Sequence, residues 1–448
     1  MRSLFLVLAL TLTGCAEVSV SHAPVAAYDS AFSQARSLAL GHAGLSGQAR
    51  RDNAAAIDRL LAAIDNATLA RDAARLPAGD PLYNFAGRAL QRRGLPLPRA
   101  FDRGDVSFGS ASRPPADRDG YRPPLRVGIL LPLSGSQATA AASVRDGYLT
   151  GYYGESRRRP TLRFYDTGAG YRAAYARAAA DGNDLLVGPL VKEDVDAIFG
   201  DEAADIPVLA LNRGSTTPPS GSAAFSLSPE DEGVSLAQAL IDRGSRSVLL
   251  IAGGDDTQKR TADAARTALQ RRGIHIAASL GYASQMTDAL RAQAQSVAKP
   301  DAVLMVLKGP QARTLAPQLA AAGLSGLLRL AGSQITSGTG KPDEDAALDG
   351  IVFPTETWLI ERVPGLPSQS SAAAQSRTAK GPAARLFAFG FDAWLLTGHL
   401  EQLALDPNAR IAGATGRLSL DGFGNVLRRP SWSRIQGGVP VPLGDDAR

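Results

Sequence analysis

Cysteine is nearly absent: Cys15 is the single one among 448 residues. No disulfide can close within the chain, and a CxxC zinc site is excluded. Histidine is almost as scarce. His22, His42, His275 and His399 stand far apart with no ligand spacing, so surface or core roles are expected and no metal site. The catalytic signatures GxSxG, GxxxxGK[ST], HExxH and GxGxxG are missing, and no Ser or Cys has a His at a recognisable local spacing. An enzyme is therefore not expected, and no cofactor is. Long like-charge runs are missing too. The net charge is +5 with a pI near 9.4, but the densest basic run is Arg157-Arg158-Arg159. That argues weakly for nucleic acid and is compatible with an anionic envelope surface or an acidic partner patch.

Residues 1–14 form the one extended apolar stretch, with a basic start at Arg2 and an apolar core over 4–12. It is too short for a mature spanning helix and reads as a signal peptide. It ends Leu12-Thr13-Gly14-Cys15, which resembles a bacterial lipobox. Cleavage before Cys15 would leave its thiol to carry diacylglycerol. Ala16 follows, where many Gram-negative lipoproteins retained in the inner membrane have Asp. The implied destination is the periplasmic leaflet of the outer membrane.

A tether over 15–25 leads to a helical region, 26–94. Ile57, Leu60, Leu61 and Ile64 fall on one helix face. Asp80-Pro81 is expected to open a helix as N-cap and first position, with Leu82, Phe85 and Ala89 buried and Gly94 as its stop. Helical pairs of tetratricopeptide type and a small helical cap are both open readings. Residues 95–124, with Pro96, Pro98, Pro114, Pro115, Pro123 and Pro124, read as an extended linker.

From residue 125 strands and helices alternate. The apolar run Leu125, Val127, Ile129, Leu130, Leu131 suits a strand buried on both faces of a parallel sheet. A Ser/Gly loop follows, then a helix whose inner face carries Ala141, Val144, Tyr148 and Gly151. Two successive arrays of this kind imply two doubly wound α/β lobes. The expected division is lobe 1 over 125–227 and 351–405, lobe 2 over 228–350, and a C-terminal hairpin over 415–436. Residues 368–384 are rich in Ser, Ala and Gln and read as mobile. Leu386, Phe389, Ala393, Leu396, Leu400 and Leu403 spell a long amphipathic helix.

In open α/β sheets ligands sit at loops after the strands. Those loops offer Ser134, Gly135, Ser136, Gly188, Pro189, Lys192, Asn212 and Gly253 as candidate cleft residues, with Asp392 of the late helix either a cap or a cleft residue. The acidic triple Glu230-Asp231-Glu232 follows Ser228-Pro229 and reads as a helix start favoured by the helix dipole.

An ordered set of motifs narrows the assignment. It runs Ile129-Leu130-Leu131-Pro132-Leu133-Ser134-Gly135, Arg145-Asp146-Gly147-Tyr148, Tyr165-Asp166-Thr167 and Val187-Gly188-Pro189-Leu190-Val191-Lys192. It continues through Pro207-Val208-Leu209-Ala210-Leu211-Asn212, Phe225-Ser226-Leu227-Ser228-Pro229-Glu230-Asp231-Glu232, Gly390-Phe391-Asp392-Ala393, Thr415-Gly416-Arg417-Leu418 and Asp421-Gly422-Phe423-Gly424. Over residues 125–436 the chain resembles the penicillin-binding protein activator family of lipoproteins (LppC/LpoA). The resemblance implies a two-lobed type I periplasmic binding protein-like domain after a short all-α region. It implies an outer-membrane lipoprotein whose partner is a class A penicillin-binding protein, a peptidoglycan synthase. The helical region here is much shorter than the family's long array. The alternative is a lipid-anchored periplasmic receptor for a small ligand such as an amino acid, which the fold alone supports.

Overall fold

The computed structural model describes residues 28–45, 47–93, 95–102, 113–201, 206–219, 221–336 and 342–443. The lipobox, Cys15 and Gly94 lie outside the described residues. Four helices come first: α1 Ser30–His42, α2 Gly47–Ala62, α3 Asn66–Ala74 and α4 Tyr83–Arg92. Asp29 and Asp65 cap α1 and α3 by accepting from backbone N–H groups of the first turn, the usual remedy for the unpaired donors there. Ile57, Leu61 and Ile64 are buried with Phe32, Leu69, Tyr83 and Phe85 in a separate small core. Asp80 does not cap α4, which begins at Tyr83. Its carboxylate accepts from Leu82 N at 3.0 Å and from Arg36 Nε at 2.8 Å, so Asp80-Pro81 forms a turn before the helix.

The proline-rich segment is docked along its described parts. Tyr83 Oη donates to Arg99 O at 2.5 Å, while Arg113 and Arg122 both reach the Glu401 carboxylate, at 2.7 and 2.6 Å. The Arg157 guanidinium lies 3.8 Å from the Tyr121 ring centroid and 2.8 Å from Asp119. Arg157 and Arg158 of the densest basic run thus hold the linker, while Arg159 donates to Tyr152 O.

The first lobe is a five-stranded parallel sheet of order β2-β1-β3-β4-β5. Its strands are β1 Arg126–Leu131, β2 Thr161–Asp166, β3 Leu185–Val187, β4 Val208–Ala210 and β5 Ala223–Ala224. Helices α5 Ala138–Gly154, α6 Tyr171–Ala180 and α7 Lys192–Gly200 connect them. Five of six β1 residues are buried, as the continuous apolar run requires.

The second sheet has seven strands, ordered β15-β14-β10-β9-β8-β6-β7. It takes β6 Ser247–Ala252, β7 His275–Gly281, β8 Ala302–Val306, β9 Leu328–Ala331, β10 Val352–Thr355, β14 Ser431–Gln436 and β15 Val439–Pro442. Helices α8 Pro229–Asp242, α9 Asp256–Arg271, α10 Thr287–Ala294 and α11 Gly309–Ala321 cover it. A third, antiparallel sheet contains β11 Ile411–Ala412, β12 Arg417–Leu420 and β13 Val426–Arg429. The long helix Ala383–Leu405 lies against α5 in the first lobe's core.

Two expected boundaries shift. Strand β10 was assigned to lobe 1 but pairs with β9 and β14 in the second sheet. The hairpin over 415–436 is divided: β12 and β13 pair with each other, while β14 returns to the second sheet. A short apolar strand carries no mark of which sheet will accept its hydrogen bonds. The segment read as mobile is also folded. It holds a helix Gln369–Gln375 and a 3-10 turn Arg377–Ala379, with Ala372 and Ala379 buried beside Trp358 and Phe387. Alanine-rich composition lowered its apparent hydrophobicity, yet small side chains are what fit under two stacked aromatic rings 5.1 Å apart.

Candidate functional site: the joint between the lobes

Strands β1, β3 and β4 are neighbours, so the loops after them share one edge of the first sheet. That brings Ser134, Gly135, Ser136, Gly188, Pro189, Lys192 and Asn212 to one rim. Ser134 to Ser136 are exposed, as is Lys192 in the first turn of α7. Asp166 organises the first loop, its Oδ1 accepting from Leu133 N, Ser134 N and Gly168 N. These donors hold its carboxyl below the ordinary range, the Gly168 N–H first. The other rim groups are committed internally. Asn212 Nδ2 donates to Leu190 O at 2.9 Å and its Oδ1 accepts from Arg213 N. Gly188 N donates to Leu209 O, and Pro189 O, after a cis peptide bond, accepts from Leu211 N. Gly253 stands apart on the second sheet, where it is buried and donates to Val306 O.

Asp392 neither caps a helix nor faces the rim. It is wholly buried in the long helix. Its carboxylate accepts from Ala414 N at 2.5 Å, Thr415 N at 2.8 Å and Thr415 Oγ1 at 2.5 Å. It ties the loop between β11 and β12 to the helix. Burial pushes its pKa up to about 7, against the pull of those hydrogen bonds.

The acidic triple at the start of α8 does more than suit the helix dipole. Each carboxylate has its own cation or donor. Glu230 meets Arg260 at 2.7 Å, and Asp231 meets Arg213 of the first lobe at 2.8 Å. Glu232 accepts from Ser333 N at 2.6 Å and Ser333 Oγ at 2.8 Å, and Arg385 Nη2 lies 3.2 Å away. Arg385 Nε is also 3.0 Å from Glu356 Oε1. Arg385 belongs to the long helix; Glu232, Ser333 and Glu356 belong to the second lobe or its exit. A largely buried ion-pair cluster therefore fastens one lobe to the other. The acidic run gave a local signal for it, but the partners Ser333, Glu356 and Arg385 are 100 or more residues away and had none.

The helical module also touches both lobes. Phe85 and Phe423 meet edge to face at 4.6 Å, with the Arg88 guanidinium 3.9 Å from the Phe423 centroid. The turn carrying Phe423 is held to β5 by Ala224 N donating to Gly424 O. On the other side, Arg271 at the end of α9 donates to Arg92 O at 3.0 Å.

This architecture and motif order agree with the profile described as "LppC putative lipoprotein", which matches residues 121–288 and 273–438. The chain belongs to the LppC family. A curated relative, penicillin-binding protein activator LpoA of Haemophilus influenzae, is 29% identical over 335 residues, covering 71% of this chain and 55% of its own length. The protein of that name from Mannheimia succiniciproducens is 27% identical over 329 residues, with the same coverage of each. The chain thus spans about half the length of the curated relatives it matches. The solved C-domain of Haemophilus influenzae LpoA, described as a regulator of PBP1A, superposes with a TM-score of 0.61. It is 26% identical and covers 71% of this chain and all of its own. A "putative branched-chain amino acid ABC transporter" from Chromobacterium violaceum superposes at 0.53, with 26% identity, 69% of this chain and 99% of its own. This chain thus shares the binding protein-like fold expected from the motifs.

Proposed function

We propose that this LppC-family chain is an outer-membrane lipoprotein, anchored through Cys15 and facing the periplasm, that binds and activates a class A penicillin-binding protein. The observation that carries the reading is the fastened joint. Receptors that close on solutes need lobes free to move and rim groups free to bind. Here Arg385, Glu232, Ser333 and Glu356 tie the lobes together, and Asn212 and the Gly188 and Gly253 backbones are hydrogen-bonded within the protein. A two-lobed body of fixed shape suits recognition of another protein. The names of the relatives support the choice of partner, and the lipobox with Ala16 supports the destination.

The test uses protein comprising residues 16–448 with a purified class A penicillin-binding protein from the same bacterium. Saturable binding and faster crosslinking of lipid II into peptidoglycan are expected. Neither effect at any concentration would remove the reading. In cells, Cys15→Ser is expected to move the protein from the membrane fraction to the soluble one.

The likeness to the Chromobacterium violaceum protein favours a second reading, a receptor for a small solute at the rim of Ser134, Gly135 and Ser136. A thermal-shift screen against amino acids tests it; a saturable rise in Tm would support it.

A further inference from the structure

The three-stranded sheet has two unlike faces. Ile411, Leu418, Leu420 and Val426 turn inward, and the last three are part of the first lobe's core beneath the long helix. The other face carries arginine. Arg417 on β12 stands directly opposite Arg429 on β13, and Ala412 on β11 stands opposite Arg417. Arg410, two residues before Ala412, continues that face by the two-residue period of extended chain. All three arginines are exposed.

Like charges directly opposed on neighbouring strands destabilise a sheet. Among the described residues Arg417 and Arg429 have no carboxylate at ion-pair distance. The Arg410 guanidinium donates to Pro407 O and Ala409 O. Partial desolvation of this guanidinium, then the like charge of Arg429, push its pKa down, with Asp406 opposing and Arg417 adding to the fall. Arg157, by comparison, is paired with Asp119 and Glu155. The face therefore carries unbalanced positive charge at a folding cost, and an anion brought from outside would offset it.

We infer that the outward face of the β11–β12–β13 sheet, through Arg410, Arg417 and Arg429, is a docking surface for an acidic polypeptide face of the partner. The inference rests on the activator reading. The chemistry favours a protein over a small anion. The arginines are spread over neighbouring strands of one sheet face. Each offers a planar fork suited to its own carboxylate. Complementary charge of this kind accelerates association and fixes register.

The experiment compares residues 16–448 in wild-type, Arg417→Glu and Arg429→Glu forms. Binding to the purified class A synthase is measured at low and physiological salt, with Tm recorded for each variant. Either glutamate would face the remaining arginine across the strand pair, so Tm is expected to hold or rise. Affinity is expected to fall about tenfold, and the salt dependence of the on-rate to flatten. Loss of binding at unchanged Tm supports the docking face. Wild-type binding that both variants retain within about twofold overturns it and leaves the activator reading standing. No wild-type binding overturns both. Unchanged synthase affinity, with lost binding to vesicles of phosphatidylethanolamine and phosphatidylglycerol, assigns the face to the membrane surface and overturns the proposal.

Discussion

Gly147 of α5 and Gly390 of the long helix meet at one helix crossing, each pressed against the other helix's backbone. A Cβ on Gly147 would lie 1.9 Å from Phe387 O, and one on Gly390 would lie 1.9 Å from Val144 O. Non-bonded heavy atoms rest at about 3.5 Å or more. The contact explains why glycine stands in both Arg145-Asp146-Gly147-Tyr148 and Gly390-Phe391-Asp392-Ala393. These glycines set how closely the two central helices of the first lobe approach.

Gly390→Ala is accordingly expected to cost about 3 kcal/mol or more, because backbone must move to admit the methyl group. Gly41→Ala in α1 is the control. Nothing lies within 4 Å of its would-be Cβ, and alanine there should gain up to about 1 kcal/mol. Urea denaturation of both variants measures the difference.

The Arg385 ion pairs predict a stability loss of about 3 kcal/mol or more for Arg385→Ala, since the buried Glu232 and Glu356 would both lose their counter-ion. Burial pushes the Glu232 carboxyl up, but Arg385 and the Ser333 N–H and hydroxyl outweigh it and hold the group below its ordinary value. A depressed folded pKa gives stability that is present above the unfolded pKa and lost as pH falls through the folded one. Wild-type Tm should therefore drop on acidification below about pH 4, and Arg385→Ala should show a shallower acid dependence.

Asp392 works in the opposite sense. With its folded pKa pushed up to about 7 by burial, the folded state binds a proton that the unfolded state has released. Its contribution is greatest below the unfolded value of about 4 and declines as pH rises toward 7. Asp392→Asn should flatten that segment of the Tm–pH curve. It should also lower Tm throughout by the equivalent of about 1–3 kcal/mol, because one of the donors from Ala414 and Thr415 would lose its acceptor.

Phe423 joins the helical module to the binding protein-like domain. Phe423→Ala removes an edge-to-face ring contact and a cation–π contact, together worth about 2 kcal/mol. The expected result is an earlier, separate melting of α1 to α4 by calorimetry. A single unchanged transition would show that the linker contacts at Glu401 suffice.

Much of the first lobe was legible because its elements are local. The apolar run of β1, the helix face of Ala141, Val144, Tyr148 and Gly151, and the face of the long helix each write their period into consecutive residues. Asp80-Pro81 misled by two residues, because an Asp-Pro turn and an Asp-Pro helix start share one sequence. Ser134, Gly188 and Asn212 follow β1, β3 and β4, and loops after neighbouring parallel strands share an edge. Asp392 was not placed, because burial and the donors of Ala414 and Thr415 depend on the chain's return.

The strand and helix order and the family motifs could be read along the chain, because each depends on near neighbours in sequence. Tertiary structure alone decided that β10 and β14 join the second sheet, that Arg385 fastens Glu232, and that Arg417 faces Arg429. Hydrogen bonds between strands and ion pairs between lobes depend on distances in space, and residues far apart in the chain become neighbours only once the core has fixed where each element lies.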